Sequence, residues 1–311
     1  MDSHWKKYAP SVCAELGVFL LALTAVMCMR LERGEWLEHA AVAAVLLALA
    51  GVSVLLLRIE GIKRDALLVM LLPIGAAFLI RALCLDYAGT DYNNFLSRWY
   101  LYFKGNGGFA AVAHAVGDYN VPYLYFMAFI SYLSTPDLYL IKLFSIAFDV
   151  ALAWGCLRLV RCLRERDTTD PVPLIAFGLA LLLPTVVLNG SCWGQCDSVW
   201  GALCVLALAF ALEDKPWPSL ALLGLAFAFK LQAIFIVPLW LPLWLRGRVK
   251  FRHLLAFPAA FGVSILPALL VGKPLGDILG VYLGHFKRSI FGFHQPFEPK
   301  TTSRTHNRPC V

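Results

Sequence analysis

The sequence is short of charge and lacks the patterns that mark soluble, repeat or zinc-binding proteins. Only 15% of its 311 residues are charged, whereas 60% are hydrophobic. A soluble domain presents more charge than this to water, so a soluble class is excluded. The absence of an internal repeat of fixed period excludes a repeat array, and the absence of a CxxC pair counts against a structural zinc site. The composition therefore predicts a polytopic membrane protein.

The cysteines fit no metal site, although nine are present. Several lie in or beside apolar runs, where a free thiol packs as a small hydrophobic group. Cys192 and Cys196 are four positions apart and could form a redox pair or half of a zinc site. Because no second pair of ligands lies nearby, we interpret them as free thiols.

The basic residues predict how the chain crosses the membrane. The net charge is +7, but the cations lie in short loops between apolar runs, which indicates membrane topology and not a nucleic-acid partner. Apolar runs at 11–29, 39–57 and 66–85 each approach the roughly 20 residues that span a bilayer. Lys6 and Lys7 precede the first run, so the positive-inside rule places the N terminus in the cytoplasm. No small-residue cleavage site follows that run, which favours a retained span over a secretory signal.

A polar and aromatic stretch, residues 86–137, follows the third run and is called the island below. Three spans from a cytoplasmic N terminus place it on the extracytoplasmic side. It contains Asp91 and Asp118, a glycine-rich break at 105–108, and many Trp and Tyr residues suited to a membrane interface. Its apolar part at 123–133 is too short to span, so we expect an interfacial or re-entrant helix there.

The remaining membrane segments follow from the same charge rule. A span at 138–163 ends among arginines, which places its end in the cytoplasm. We further predict spans at 174–188 and 199–212, a short-armed helical hairpin at 217–245 that is broken near Lys230, and a last span at 254–271.

The predicted fold class is therefore all-α, a polytopic transmembrane helix bundle with a large extracytoplasmic loop that carries interfacial helices. One transmembrane domain, residues 1–272, is predicted to hold about nine membrane helices. Residues 273–311 are predicted to form an extracytoplasmic tail that is disordered or aberrant, because the hydrophobic periodicity is lost there.

Asp91 is the first candidate for catalysis. It lies in an aromatic loop at the predicted membrane surface, where a carboxylate can act as a general base toward an acceptor hydroxyl. The alternative is a solvated loop acid. Asp118 is the second candidate, although its Asp-Tyr-Asn-Val-Pro context also fits an ordinary turn into a helix.

Charged residues inside apolar runs are candidates for substrate binding, since a charge there usually faces a bundle interior or a cavity. Lys142 and Asp149 share one helix face with Ser145, and an internal structural pair is the alternative. Lys230 and Gln232 interrupt an apolar stretch and could hold a phosphate near the head groups. A lysine that snorkels at a helix end is the alternative.

The segment 189–198 is predicted to reach the same side of the membrane as the island. Asp197 or Ser198 could cap the helix that follows, and this role is compatible with contact to a substrate. The full set of predicted substrate-binding residues is Arg98, Tyr119, Asn120, Lys142, Asp149, Asn189, Trp193, Gln195, Asp197, Lys230 and Gln232.

Five motifs in this order resemble a known family. They are Asp91-Tyr-Asn-Asn-Phe95 with Trp99, Gly117-Asp-Tyr-Asn-Val-Pro-Tyr123, Ile141-Lys-Leu-Phe-Ser-Ile-Ala-Phe-Asp149, Leu188-Asn-Gly-Ser-Cys-Trp-Gly-Gln-Cys-Asp-Ser198 and Phe229-Lys-Leu-Gln-Ala233. Over residues 86–270 the chain is similar to the bacterial relatives of the GPI-type mannosyltransferases. These belong to the GT-C class of multi-spanning glycosyltransferases.

The resemblance implies an inverting transfer of mannose or another hexose from a polyprenyl-phosphate donor to an acceptor on the extracytoplasmic face of a bacterial cytoplasmic membrane. It also implies an acidic base in the first large outer loop, which falls on Asp91. A lipid phosphate is a good leaving group and the sequence has no DxD motif, so we expect no obligatory metal ion and no other cofactor. The family usually continues through more spans, so we expect a truncated or frame-shifted C terminus.

Two alternatives differ from this enzyme in class. A transporter or lipid flippase could line its path with Lys142, Asp149 and Lys230. The chain shows no repeated halves, and its polar motifs are predicted to gather on one side of the membrane and not at the midplane. These features favour the enzyme. The other alternative is an inactive, truncated remnant.

Overall fold

The computed structural model describes residues 2–114, 116–164 and 170–282. Within these ranges the regular elements are helical and no strand occurs, so the predicted all-α class is confirmed. Residues 275–282, near the start of the predicted tail, are helical. Residues 283–311 lie outside the described residues, so the predicted division into a membrane domain and a tail stays a prediction.

The chain folds into a series of long and short helices. The α-helices are α1 (Asp2–Cys28), α2 (Trp36–Ile59), α3 (Arg64–Leu83), α4 (Ser97–Gly105), α5 (Val121–Ile130), α6 (Asp137–Leu163), α7 (Val172–Leu182), α8 (Pro184–Val187), α9 (Asp197–Leu212), α10 (Pro216–Phe229), α11 (Trp240–Leu245) and α12 (Ala256–Leu270). Turns of π-helix at Tyr92–Leu96 and Leu188–Cys192, and 3₁₀ turns at Gly108–Ala113, Leu231–Leu239 and Phe251–Leu255, join several of them.

Within the described residues, five helical stretches are long and apolar enough to cross a membrane. These are Tyr8–Cys28, Trp36–Ile59, Arg64–Leu83, Asp137–Leu163 and Phe251–Leu270. A sixth candidate is the pair formed by α7 and the stretch Pro184–Cys192, which bends by 42°. Helices α5, α9 and α10 are apolar but shorter. The protein is thus a polytopic helical bundle.

Helices α1 and α3 approach each other closely because both carry glycine at their contact. A Cβ atom added to Gly17 would lie 2.4 Å from the backbone carbonyl of Leu71, and one added to Gly75 would lie 2.5 Å from the carbonyl oxygen of Gly17. Small residues allow this backbone approach in helices packed within a membrane.

One end of the bundle gathers the island and the ends of three helices, and we call it the island end. Asp86, just after α3, accepts hydrogen bonds from the backbone N–H of Glu32 at 3.1 Å and from the Tyr139 hydroxyl at 2.5 Å. The hydroxyl of Tyr92 donates to the carboxylate of Asp137 at 3.0 Å. These bonds join the loop after α1, the end of α3 and the start of α6 to the island.

The opposite end of α6 carries a cluster of ion pairs, which we call the arginine end. Arg158 pairs with Glu213 at 2.6 Å, and Arg161 pairs with Glu60 at 2.6 Å. The indole N–H of Trp154 also donates to Glu60 at 2.8 Å. Arg158 lies 21 residues after Asp137, where α6 begins, so about 30 Å of helix separates this cluster from the island end.

Candidate active site

A cavity of about 620 Å³ lies at the island end. Four parts of the chain line it, namely the island, the loop before α9, the break after α10 and the residues after α12. The lining residues are Asp91, Phe95, Leu96, Trp99, Asp118, Tyr119, Asn120, Gln195, Phe229, Lys230, Leu231, Gln232, Phe235, Val281 and Tyr282.

The wall that carries Asp118 and Tyr119 is shaped by a glycine. Gly117 has φ +64°, and a Cβ atom there would lie 2.3 Å from the ring of Trp99. Only glycine adopts this backbone conformation freely and leaves room for the indole. The loop therefore lies against Trp99, whose ring meets the ring of Tyr119 edge-on at 5.3 Å between centroids.

A chain of hydrogen bonds runs along the cavity from Tyr119 to Asp91. The Tyr119 hydroxyl donates to Oε1 of Gln195 at 2.9 Å, and Nε2 of Gln195 donates to Oδ2 of Asp91 at 2.5 Å. Burial raises the pKa of the Tyr119 hydroxyl far above its ordinary value, so this hydroxyl keeps its proton and acts as a donor. Two segments far apart in the sequence thus meet at the Asp91 carboxylate.

Lys230 lies where helix α10 ends and the chain becomes extended, with φ −144° and ψ 134°. This is the break predicted in the stretch 217–245. Its ammonium group contacts the Asp197 carboxylate and lies 5.1 Å above the ring of Tyr119. A salt bridge and a cation–π contact therefore hold the lysine at the cavity wall.

Asp197 binds side chains and does not cap the helix that it begins. The N-cap position of α9 is Cys196, without a side-chain cap, so neither Asp197 nor Ser198 holds the capping position that was considered from the sequence. The Asp197 carboxylate accepts from Asn189 at 2.8 Å and from the indole of Trp200 at 3.1 Å, in addition to its contact with Lys230. Ser198 instead donates to Asp149.

Lys142 and Asp149 do not pair with each other, contrary to the alternative considered from the sequence. The ammonium group of Lys142 donates to the backbone carbonyls of Cys84, Leu85 and Tyr87 at 2.7, 2.8 and 2.7 Å. Asp149 is fully buried and forms a salt bridge of 2.9 Å with Arg81.

The cavity brings together seven of the residues predicted from the sequence: Asp91, Asp118, Tyr119, Asn120, Gln195, Lys230 and Gln232. Asn189 and Asp197 lie behind Lys230 in the hydrogen-bond network. Arg98 and Trp193 are exposed, and neither they nor the buried Lys142 and Asp149 line the cavity.

Sequence reasoning missed two residues, Tyr282 at the cavity and Arg81 in the interior of the bundle. The Tyr282 hydroxyl accepts from Asn120 at 2.6 Å and donates to the carbonyl of Phe227 at 2.8 Å. No periodic pattern around residue 282 indicated this. Arg81, by contrast, had a visible signal, since it is an arginine within the apolar run at 66–85.

Comparison with known families decides the class of this site. A model described as Glycosyltransferase family 87 matches residues 119–295, more than half of the chain. The chain belongs to glycosyltransferase family 87. The prediction of a glycosyltransferase is therefore confirmed, whereas the finer resemblance to mannosyltransferases stays a prediction.

The family 87 match begins at Tyr119 and includes Gln195 and Lys230, but it begins after Asp91 and Asp118. No curated protein and no solved structure matches the chain.

Proposed function

We propose that this family 87 glycosyltransferase moves mannose or another hexose from a polyprenyl-phosphate donor to an acceptor hydroxyl on the extracytoplasmic face of the membrane. The observation that carries the proposal is the cavity, which combines the carboxylate of Asp91 with the ammonium group of Lys230 at one end of an apolar bundle. A transfer from a lipid phosphate needs a proton acceptor and a cation close together, beside an apolar surface for the lipid.

Asp91 is proposed as the general base. Among the described residues its hydrogen-bond partner is Gln195, which donates to Oδ2 of Asp91. Oδ1 of Asp91 is therefore available to the acceptor hydroxyl. The acceptor hydroxyl gives its proton to Oδ1 while its oxygen attacks the anomeric carbon. The bond from that carbon to the phosphate oxygen breaks, polyprenyl phosphate leaves, and the anomeric configuration inverts. General-base assistance of this kind contributes typically about 10² to 10⁴ in rate.

Asp118 remains the second candidate for the base. It is half-buried, lines the same cavity and precedes Tyr119 directly. Asp91 is preferred because the family resemblance places the loop acid there. The hydrogen bond from Gln195 also holds its carboxylate in position to accept a proton.

Lys230 is proposed to bind the donor phosphate, with Gln232 beside it. A lysine ammonium has three N–H donors, and the contacts with Asp197 and with the Tyr119 ring leave it able to bind a further anionic oxygen. Lys142, also predicted to bind the substrate, has three carbonyl partners. Its donors are therefore used, and the phosphate role is assigned to Lys230.

The lipid chain of the donor is proposed to lie along the apolar rim of the cavity. Phe95, Leu231 and Phe235 line the cavity, and 79% of Phe235 is exposed. Leu239 and Leu241, farther along the same segment, are also exposed. The prenyl chain can therefore stay in the hydrocarbon layer while its phosphate reaches Lys230.

Turnover by the purified protein in lipid nanodiscs tests this proposal. The donors are polyprenyl-phosphate mannose, polyprenyl-phosphate glucose and the matching nucleotide sugars, with methyl α-mannoside as acceptor and water as a competing acceptor. We expect release of polyprenyl phosphate from a lipid-linked hexose, and a first-formed sugar product of opposite anomeric configuration by NMR. Turnover with nucleotide sugars alone, or retained configuration, would overturn the proposal.

A further inference from the structure

We infer that Tyr119 and Gln195 are positioning residues that orient Asp91 and do not themselves bind the transferred sugar. The inference rests on the proposed role of Asp91 as the base. Its starting point is the continuous chain of hydrogen bonds from the Tyr119 hydroxyl through the Gln195 amide to the Asp91 carboxylate.

The direction of each hydrogen bond follows from the chemistry of the groups. An ionised carboxylate only accepts hydrogen bonds, so Gln195 must present its NH₂ group to Asp91. Its carbonyl oxygen then faces Tyr119, and the Tyr119 hydroxyl must donate to it. The amide of Gln195 is thus fixed in one of its two orientations by the groups on both sides.

The two positioning residues are themselves held firmly. The backbone N–H of Gln195 donates to the Asn189 carbonyl at 2.9 Å, and its backbone carbonyl accepts from the Ser145 hydroxyl at 2.7 Å. The ring of Tyr119 lies between those of Trp99 and Tyr123, at centroid distances of 5.3 and 4.7 Å. Asp91, by contrast, is exposed, and among the described residues Gln195 is the hydrogen-bond partner of its side chain.

The consequence is that Asp91 is held by Gln195 and, through it, by Tyr119; we call these two residues the arm. Gln195 approaches Oδ2 and leaves Oδ1 for the acceptor hydroxyl. The contact of Lys230 with the Tyr119 ring connects the same arm to the proposed phosphate site. The arm therefore sets where the base lies relative to the phosphate, and an error of about 1 Å in such a placement can cost about 100-fold in rate.

Steady-state kinetics of Tyr119→Phe and Gln195→Met test the inference. Each variant is expected to lower kcat by about 10- to 100-fold, with the KM for the lipid donor and the KM for the acceptor within about twofold of wild type. A rise in either KM at unchanged kcat would mean that these side chains bind substrate, which contradicts a positioning role. Gln195→Glu, which can accept from Tyr119 but cannot donate to Asp91, is expected to lose kcat as Gln195→Met does.

A double mutant tests whether Tyr119 acts through Gln195 or whether the two side chains act independently. If Tyr119 acts only through Gln195, Tyr119→Phe combined with Gln195→Met is no slower than Gln195→Met alone. Losses that multiply in the double variant would overturn the inference. Tyr125→Phe is the matched control, since the Tyr125 hydroxyl accepts a backbone N–H from Ala268 at 3.0 Å and does not line the cavity. It should keep wild-type kcat.

The Asp91→Asn variant distinguishes failure of the inference from failure of the proposed function. In that background Gln195→Met is expected to cause less than a twofold further loss, because the group that it positions has gone. If Asp91→Asn keeps wild-type turnover, the base assignment fails and the inference fails with it. If Asp91→Asn is inactive while Tyr119→Phe and Gln195→Met are both normal, only the inference is overturned.

Discussion

Two lysines in apolar surroundings differ in how their ammonium groups are bound. Lys142 uses its three N–H donors on three carbonyls at the end of α3, where the negative end of the helix dipole also favours a cation. Lys230 contacts Asp197 and the Tyr119 ring and lines the cavity. The first lysine stabilises the fold, and the second is available to a ligand.

Substitution of Lys230 should therefore weaken donor binding without unfolding the protein. Lys230→Gln removes a charge-assisted contact, so we expect a loss of about 1.5 to 3 kcal/mol in binding of polyprenyl-phosphate mannose, measured by calorimetry in nanodiscs. Lys63→Gln, a substitution of an exposed lysine just before α3, is the control and should bind as wild type.

Lys142→Gln should show the opposite pattern, in which donor binding is unchanged and the stability of the protein is reduced. It should lower the melting temperature, because buried carbonyls lose their partner, at a cost of about 1 to 3 kcal/mol for each group left unsatisfied. Unchanged donor affinity in Lys230→Gln would remove that residue from the donor site.

At the scale of helices, the bundle is held by contacts between elements that are distant in the sequence. Arg81 of α3 donates to Asp149 of α6 and also to the carbonyl of Leu181 in α7 at 2.8 Å. The hydroxyl of Ser198 in α9 donates to the same carboxylate. Four helices thus share one buried polar centre. Removal of one partner of a buried ion pair is strongly destabilising, because the other partner is left as an uncompensated buried charge.

The contact between α1 and α3 predicts a sharp difference between two glycine substitutions. Gly17→Leu must displace the backbone of α3, so we expect a loss of stability of about 1 to 3 kcal/mol or more, measured by thermal unfolding in detergent. Gly51→Leu in α2 is the matched control, since a Cβ atom there meets nothing within 4 Å. Equal melting temperatures of the two variants would contradict this helix packing.

Hydropathy predicted the long helices, but it could not predict their partners. The period and length of apolar runs are set by the chain itself, so the long helices and the break at Lys230 could be placed from sequence. The partner of Asp149 depends on how neighbouring helices rotate and pack, and the partner proved to be Arg81 and not Lys142. Tyr282 could not be found because its partner, Asn120, lies 162 residues earlier.

At the scale of the whole molecule, the two ends of the bundle differ in chemistry. The island end holds the cavity with Asp91 and Lys230. The arginine end holds the ion pairs of Arg158 and Arg161. The positive-inside rule predicts that the cavity lies outside and the arginines lie in the cytoplasm.

Labelling of single cysteines in intact cells tests this sidedness. Gly105→Cys lies in the island, where a Cβ atom meets nothing within 4 Å, so it should react with an impermeant maleimide added outside. Arg246→Cys, in an exposed position after α11, should react only after the membrane is opened. The unsubstituted chain gives the background from the native cysteines. Outside labelling of Arg246→Cys would contradict the predicted topology.

Turnover of Asp91→Asn tests the central claim most directly. Asparagine keeps the size of the side chain but cannot take the proton, so transfer from a polyprenyl-phosphate hexose should fall by about 10² to 10⁴ with donor binding nearly unchanged. Asp118→Asn, measured beside it, should retain most of the turnover. Wild-type turnover in Asp91→Asn together with loss in Asp118→Asn would assign the base to Asp118, and normal turnover in both variants would contradict base catalysis by either carboxylate.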